Sequence, residues 1–263
     1  MSAGIALRLD DVGAASKHHE IYGMTRISVG RWSVPFPGNF LFLKYVPPIR
    51  RWGSYRELRA AEWERMLLAL EAAGSRMTVA VTAGWVERDG RIVPFPTKFP
   101  DAAAMLREGV RAGRLEIANH GYTHCLLAGG AFRPKLFSGN RQFHREFYDW
   151  LPETIHRDHL RRAQTILQEF FAQRVLTLVP PGSLLSPKTV WAAVETGLRY
   201  LSCRNAQAWN GMGGLTAADD SRVTAIHDRD VVRSGVEWFR DLARTAPPGR
   251  FVAIRDLMEP EAQ

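Results

Sequence analysis

Short apolar runs alternate along this chain with longer segments in which apolar residues recur at helical spacing. The runs of strand length cover residues 4–9, 77–83, 115–118, 174–179, 198–203, 222–226 and 251–254. The segments with helical spacing cover residues 54–74, 100–113, 154–173, 187–197 and 231–246. Because strands and helices alternate throughout, the pattern predicts an α/β fold of parallel strands joined by right-handed crossovers.

Two segments depart from this alternation. Residues 26–53 and 126–153 are rich in proline, glycine and aromatic residues, which predicts long ordered loops inserted into the domain. A shorter signal, Asp89-Gly90, predicts a hairpin turn. No repeat, low-complexity segment or linker divides the chain, so we expect a single domain over residues 1–263.

The composition is typical of a globular protein with a sizeable core, since 46% of the 263 residues are hydrophobic and 24% are charged. The formal net charge is +8, and only five of the 35 basic residues are lysine. Arginine suits phosphate and carboxylate groups, so this excess is compatible with a phosphate-bearing substrate, although a codon bias toward arginine explains it equally well. The basic residues are dispersed, which gives little support to nucleic-acid binding.

The cysteine content and the N-terminus bear on the compartment. Cys125 and Cys203 form no disulfide framework and are expected to be reduced thiols in the core, which fits a reducing cytosol. The first residues lack the pattern of a signal peptide, and no run of 18 apolar residues occurs. We therefore expect a cytoplasmic protein without a membrane span.

Polar side chains follow several predicted strands at the point where each strand ends. Asp10 and Asp11 follow the first strand, and the sequence His120-Gly-Tyr-Thr-His124 follows the third. Histidines four residues apart lie on one face of a helical turn and can hold one metal ion, although such a pair is weak evidence by itself. The glutamate of the HExxH motif is missing, so a carboxylate ligand has to come from elsewhere.

Two later strand ends carry further candidates, a Pro-Pro-Gly-Ser turn at residues 180–183 and His227. The carboxyl ends of the strands of an α/β barrel share one face, so we expect these groups to converge there. One aspartate with two histidines is a suitable zinc ligand set that leaves a position open for water. The second aspartate is then a candidate base, His227 a candidate acid, and the turn a candidate oxyanion donor.

The segments LDD, HGYTH, PPG and AIHD resemble, in this order, motifs of the polysaccharide deacetylase (NodB-homology) family. The resemblance runs from Asp10 to about Met258. The segment DDVGAASKHHEIYG and the aromatic loop after it are most similar to a branch found in the biosynthesis of bacterial surface polysaccharides such as O-antigen.

The resemblance implies a distorted (β/α) barrel and a metal-dependent hydrolase that removes an N-acyl group, acetyl or formyl, from a sugar. It implies that Asp10 is the base and that the late-strand His227 is the acid. It also implies that Asp11, His120 and His124 bind a divalent metal ion, most plausibly zinc. The implied substrate and oxyanion contacts are Pro181, Gly182, Ser183 and Arg204.

The chain departs from the family pattern at two positions. The third family motif usually carries an arginine where this chain has Leu178, and either Arg8 or Arg204 is a candidate replacement. Gly121 stands where the family often has serine or threonine. Glu146, in the second loop-rich segment, and His144 beside it are expected to pack on a helix face rather than to act in catalysis.

Three alternatives remain open from the sequence. The first is a non-catalytic member of the same fold that binds metal or carbohydrate. The second is a related hydrolase that acts on a non-sugar C–N bond. The third is a metal-free barrel in which the motifs are coincidental. The particular sugar, the acyl group and the oligomeric state do not follow from the sequence.

Overall fold

A computed structural model describes residues 4–19, 21–53, 55–127, 145–245 and 250–259. Its strands are β1 (Ile5–Val12), β2 (Tyr22–Gly23), β3 (Arg26–Val29), β4 (Trp32–Pro35), β5 (Arg50–Trp52), β6 (Met77–Val81), β7 (Gly84–Val86), β8 (Ile92–Pro94), β9 (Leu115–Asn119), β10 (Thr177–Leu178), β11 (Tyr200–Leu201), β12 (Thr216–Ala217), β13 (Val223–His227) and β14 (Phe251–Val252). Its helices are α1 (Ala60–Ala72), α2 (Phe95–Lys98), α3 (Pro100–Arg111), α4 (Glu153–Phe171), α5 (Pro187–Glu195), α6 (Asp228–Ser234), α7 (Val236–Arg244) and α8 (Ile254–Met258).

Eight strands form one parallel sheet in the order β12-β11-β10-β9-β6-β1-β13, and β14 also pairs with β1. Within the described residues, β12 and β13 are not paired with each other, so the barrel is incomplete. A hydrogen bond of 2.7 Å from Arg8 on β1 to Ser202, which follows β11, spans the interior of the curved sheet. The predicted α/β fold of the distorted-barrel type is confirmed.

Burial explains why the central strands read as continuous apolar runs. Every residue of β6 and β9 is buried, as expected for parallel strands covered on both faces. The outer helices supply the second layer: α1 packs Trp63, Met66 and Leu70 into the main core. This frame directs the carboxyl ends of β1, β9, β10 and β13 toward one rim.

Two predicted helices differ from those observed. The first begins at Ala60 rather than near residue 54, because the Glu62 side chain accepts the Arg59 backbone N–H at 2.8 Å and caps the helix there. The helix predicted over 231–246 divides into α6 and α7 at Gly235, whose φ of +85° does not continue a helix. Ser54, at which the first helix was predicted to begin, lies outside the described residues.

The segment predicted as a loop over residues 26–53 contains the β3–β4 hairpin and strand β5, which pairs with β2 just before the segment. Its base is tightly packed: a Cβ on Gly23 would lie 2.1 Å from the Gly38 carbonyl oxygen, so no other residue fits there without movement. The predicted hairpin around Asp89-Gly90 is present as β7–β8. No helix in the described part of the chain is long and apolar enough to cross a membrane.

Candidate active site

The two aspartates lie at an irregularity of β1 rather than in a regular strand. Three residue steps on β1, from Leu9 to Val12, match only two on β6, which defines a bulge. Asp11 occupies the left-handed region, with φ at +72°. Simple alternation would have turned the two carboxylates to opposite faces, but the bulge lets both Asp10 and Asp11 line the same cleft.

The histidine pair does not lie on a helical turn, so the prediction from i, i+4 spacing is wrong. Residues 121–127 form an irregular loop, with φ of +80° at Gly121 and +59° at His124. The loop nevertheless brings the rings of His120 and His124 together, with 4.9 Å between their centroids. The convergence of the two rings depends on this loop geometry.

Glu146 holds that loop in place. Its buried carboxylate accepts the backbone N–H groups of Tyr122 (2.9 Å), Thr123 (3.2 Å) and His124 (2.9 Å). Burial alone would raise its pKa, but the charge and hydrogen bond of His159, together with these N–H groups, lower it. Glu146 is therefore an ionised anchor of the histidine loop and not a residue of a helix face; His144 lies outside the described residues.

The same carboxylate explains the glycine within the HGYTH motif. A Cβ on Gly121 would lie 2.1 Å from the Glu146 carboxylate, and the positive φ at this position also disfavours a side chain. Glycine here makes room for the anchor.

Asp11, His120 and His124 form a buried cluster whose ligand atoms all lie within 4.8 Å of one another. The Asp11 Oδ1 is 3.3 Å from His120 Nε2 and 3.2 Å from His124 Nε2. Burial alone would raise the pKa of Asp11, but its contacts with the imidazoles of His120 and His124, together with the charges of His227 and His124, hold this pKa well below its usual range.

The surroundings of the cluster fit a cation. His120 Nδ1 is 2.6 Å from the Val179 carbonyl oxygen, which only accepts, so Nδ1 carries the hydrogen. When His120 is neutral, its Nε2 lone pair faces the Asp11 carboxylate. The lone pair and the carboxylate repel each other unless a positive charge lies between them. His124 Nδ1 is similarly bonded to Ser16 Oγ at 2.8 Å. Such outer hydrogen bonds orient histidines that bind a metal.

A buried lysine in the polar segment after β1 contacts the backbone of Asp11, a role that did not follow from the sequence. Lys17 Nζ donates to the Asp11 backbone carbonyl at 3.0 Å and pairs with Asp228 and Glu57. Although burial alone lowers its pKa, the charges of Asp228 and Glu57 raise it, so Lys17 stays cationic. The cation stabilises the bulged backbone on which Asp11 stands.

Asp10 pairs with Arg8 and not with Arg204. Arg8 donates to both Asp10 oxygens at 2.8 Å, a bidentate arrangement. Residues two apart on a strand share a face, which is why these two side chains meet. Leu178, where the family motif carries arginine, is fully buried in the main core. Of the two candidate replacements, the structure places Arg8 in contact with Asp10.

His227 is the last residue of β13 and lies beside Asp10 in the register of the sheet. Its Nδ1 is 3.6 Å from the Asp230 carboxylate. Burial lowers its pKa, but the carboxylates of Asp230, Asp11 and Asp10 outweigh this effect and raise the pKa to about 9. The imidazole is therefore protonated at neutral pH.

The ionisable side chains of Asp10, Asp11, His120, His124 and His227 line one cleft of about 820 Å³. Gly182 and Ser183 of the turn also line it, and the Ser183 N–H is used within the turn, donating to the Pro180 carbonyl at 2.9 Å. Arg204 lines the cleft with an exposed side chain, and its backbone N–H donates to Ser183 Oγ.

Sequence reasoning missed Arg145, whose guanidinium covers Gly182: a Cβ on that glycine would lie 2.5 Å from the Arg145 Nε. Within the described residues, neither Arg145 nor Arg204 has a carboxylate partner.

The inserted segment contributes an aromatic wall to the cleft. Tyr22 on β2 and Trp52 on β5 stack with 5.8 Å between ring centroids. The Trp52 ring also meets His227 edge-on at 5.7 Å. Both aromatic residues therefore border the ionisable groups of the site.

Comparison with known families agrees with this geometry. A family model described as polysaccharide deacetylase matches residues 55–201, more than half of the chain. The chain therefore belongs to the polysaccharide deacetylase family. The matched region contains His120, His124 and the turn at Pro181–Ser183, whereas Asp10, Asp11 and His227 lie outside it and are brought in by the fold.

Several solved structures are similar to this chain at low identity. A family 4 carbohydrate esterase domain of a xylanase from a Trinervitermes trinervoides hindgut metagenome is 14% identical, with 76% of this chain and 85% of that chain covered and a TM-score of 0.48. A family 4 carbohydrate esterase from Streptomyces lividans is 17% identical, with 73% and 91% covered and a TM-score of 0.42. A pseudoenzyme of family 4 from Bacillus anthracis is 13% identical, with 76% and 62% covered and a TM-score of 0.44.

This chain thus spans less than two thirds of the length of the Bacillus pseudoenzyme. A comparison with curated proteins finds no match. The assignment of this chain to the polysaccharide deacetylase family therefore rests on the match to the family model.

Replacing Glu146 by glutamine should weaken divalent metal binding roughly ten- to a hundredfold, because an uncharged amide no longer gathers the three N–H groups of the histidine loop. Calorimetric titration with Zn²⁺ measures the effect. Glu153→Gln, a change of the same kind at the exposed start of α4, is the matched control. Equal affinity in the two variants would contradict the anchoring role.

Proposed function

We propose that this chain is a metal-dependent hydrolase that removes an acetyl or formyl group from the nitrogen of a sugar in an intermediate of surface-polysaccharide biosynthesis. One observation carries the proposal. The cleft contains an Asp-His-His cluster suited to a cation, and beside it Asp10, a carboxylate outside that cluster, next to the protonated His227. A simple metal-binding site has no use for this second carboxylate and acid.

In this proposal Asp11, His120 and His124 hold the metal ion, and zinc suits two imidazoles and one carboxylate. A divalent ion supplies Lewis-acid chemistry, since it polarises an acyl carbonyl and lowers the pKa of water. The two Nε2 atoms and the Asp11 carboxylate are already positioned by the hydrogen bonds of the surrounding residues.

Asp10 acts as the base. It accepts a proton from the attacking water while the water oxygen bonds to the acyl carbon. Arg8 fixes both carboxylate oxygens through its bidentate contact, and each oxygen retains a further lone pair for the proton. Ser202 accepts from the far side of the guanidinium and so orients Arg8 in turn.

His227 acts as the acid. When the C–N bond breaks, its imidazolium gives a proton to the departing amine, so that the products are a carboxylic acid and the free amino sugar. Its neighbouring carboxylates favour the protonated form at neutral pH, as this role requires. In the turn, Pro181 has no N–H and that of Ser183 is occupied, so Gly182 is the proposed backbone donor to the oxyanion.

The walls of the cleft indicate the substrate. Tyr22 and Trp52 line the cleft with aromatic rings of the kind against which sugar rings pack, and the Arg229 guanidinium lies over one face of Trp52. Arg145 and Arg204, on either side of the turn, supply positive charge for an anionic part of the substrate, such as a phosphate. Two buried free cysteines suit a reducing compartment such as the cytoplasm.

Substitutions at the two aspartates should separate binding from chemistry. Asp11→Ala should abolish tight Zn²⁺ binding, whereas Asp10→Asn should bind Zn²⁺ normally and lose turnover roughly 10²- to 10⁴-fold. Calorimetry with Zn²⁺ and release of acetate or formate from N-acylated amino sugars give the two readouts. Full activity in Asp10→Asn would refute the assigned base, and a wild-type protein that binds Zn²⁺ without any turnover would favour a non-catalytic role.

The pH dependence should report His227. Because the acid works only when protonated and its pKa is raised to about 9, kcat/KM should fall as pH rises through about 9. Asp230→Asn removes one of the carboxylates that raise this pKa and should move the alkaline limb to lower pH. His227→Gln should lower kcat about a hundredfold and abolish the limb. A limb unmoved in Asp230→Asn would count against this assignment.

Arg8→Gln should lower kcat about a hundredfold with little change in KM, because Asp10 loses the contact that positions it. Arg91→Gln is the matched control, since Arg91 pairs with an aspartate two residues away, Asp89, on the exposed β7–β8 hairpin. Arg8→Lys keeps the charge but not the bidentate fork, so it should recover only part of the rate. The prediction is wrong if Arg91→Gln lowers kcat as much as Arg8→Gln.

A further inference from the structure

The inserted segment exposes an unusual amount of apolar surface. Within the described residues, eleven large hydrophobic side chains are exposed, and six of them lie between residues 29 and 45. These six are Val29, Trp32, Val34, Phe40, Phe42 and Tyr45. Trp32 and Phe42 are 66% and 67% exposed. Concentrated apolar exposure of this kind marks an interaction surface.

This surface does not serve the fold. No residue from 24 to 51 belongs to the hydrophobic core clusters of the described chain. Among the strands of the described residues, the β3–β4 hairpin pairs with no other, and β2–β5 likewise forms a sheet of its own. The segment is nevertheless anchored at its base, where Gly23 packs against Gly38 and the Gly38 N–H donates to the Met24 carbonyl. It is a fixed projection rather than part of the core.

The charge of the same segment has one sign. Residues 21–56 contain six basic residues and no acidic residue, although the whole chain carries 27 acidic residues. Four of the six are exposed in this segment, Arg26, Arg31, Arg50 and Arg51, whereas Lys44 is buried and Arg56 pairs with Glu62. Arginine and aromatic side chains are also in contact, as where the Arg31 guanidinium lies 5.3 Å from the centre of the Trp32 ring. The surface therefore combines exposed aromatic rings with four exposed arginines.

We propose that this projection, residues 24–51, docks the protein on the surface of an anionic phospholipid bilayer. Tryptophan, tyrosine and phenylalanine side chains partition into the headgroup region, and arginine and lysine are attracted by anionic lipid. Each basic residue near such a surface strengthens binding roughly fivefold. Binding to a bilayer requires neither a groove for a peptide nor a flat face complementary to itself.

The position of the projection relates docking to the cleft. Its two ends carry Tyr22 and Trp52, which form the aromatic wall beside His227. A bilayer held by residues 24–51 would therefore face the cleft entrance, where a sugar attached to a lipid phosphate could enter. Docking itself does not depend on the proposed reaction, whereas this choice of substrate does.

Co-sedimentation with vesicles tests the docking. The protein should sediment with vesicles of phosphatidylcholine containing phosphatidylglycerol, bind far less to phosphatidylcholine alone, and be released by salt. The double variant Trp32→Ser, Phe42→Ser should bind the anionic vesicles at least tenfold more weakly. Trp150→Ser is the matched control, because Trp150 is 69% exposed but lies outside the projection. Circular dichroism checks that both variants fold.

Three results would overturn the proposal. Wild-type protein that stays in the supernatant with anionic vesicles has no such surface, and unchanged binding by the double variant places the surface elsewhere. If the wild type is a dimer that the double variant converts to a monomer, a second copy covers the face instead. Tight binding of single-stranded DNA that depends on Trp32 and Phe42 would assign it to nucleic acid. None of these measurements involves turnover, so they stand apart from tests of the hydrolase.

Discussion

The candidate site depends on two backbone positions that are held in the left-handed region. Asp11 and His124, at φ of +72° and +59°, are members of the Asp-His-His cluster. A residue other than glycine in this region costs about 1–3 kcal/mol and persists only where its surroundings determine it. Here a buried charge does so in each case: Lys17 donates to the Asp11 carbonyl, and Glu146 accepts the His124 N–H. A buried cation thus holds the bulge of β1, and a buried anion holds the histidine loop, on two sides of a cluster suited to a metal ion.

The bulge also separates the two adjacent aspartates. Asp10 remains paired in register with β13, where Arg8, on the same face of β1, grips it. Asp11 is turned by the bulge toward the histidines. One carboxylate is therefore paired with a guanidinium and the other with two imidazoles, although the residues are neighbours in the chain. Leu178, where the family motif carries arginine, is buried in the core. The positive partner of Asp10 is instead Arg8, on the same strand.

Much of this arrangement followed from the sequence because it reflects local periodicity. The alternation of strands and helices predicted the parallel sheet, and the rule that strand ends share one rim predicted that an aspartate of the Asp10-Asp11 pair would meet His120 and His124. The choice of Asp11 as that aspartate came from the family resemblance. What could not be predicted depends on distant partners. Lys17 and Asp228 are 211 positions apart, and Glu146 reaches a loop 22 positions before it in the sequence. The spacing of four between the histidines predicted a helical turn that is absent. The carboxylate of Glu146 shapes an irregular loop there instead.

The division of the chain between matched and unmatched regions has a physical counterpart. The family match covers residues 55–201, which supply four of the eight strands of the main sheet and both histidines of the cluster. The segment before it, residues 21–53, adds no residue to the core clusters of the described chain, yet provides Tyr22 and Trp52 at the cleft and the exposed aromatic and arginine side chains outside it. Its base is fixed by the close packing of Gly23 against Gly38. The packing of the core does not account for its exposed aromatic and arginine side chains, so we attribute them to the proposed contacts with a bilayer and with a substrate.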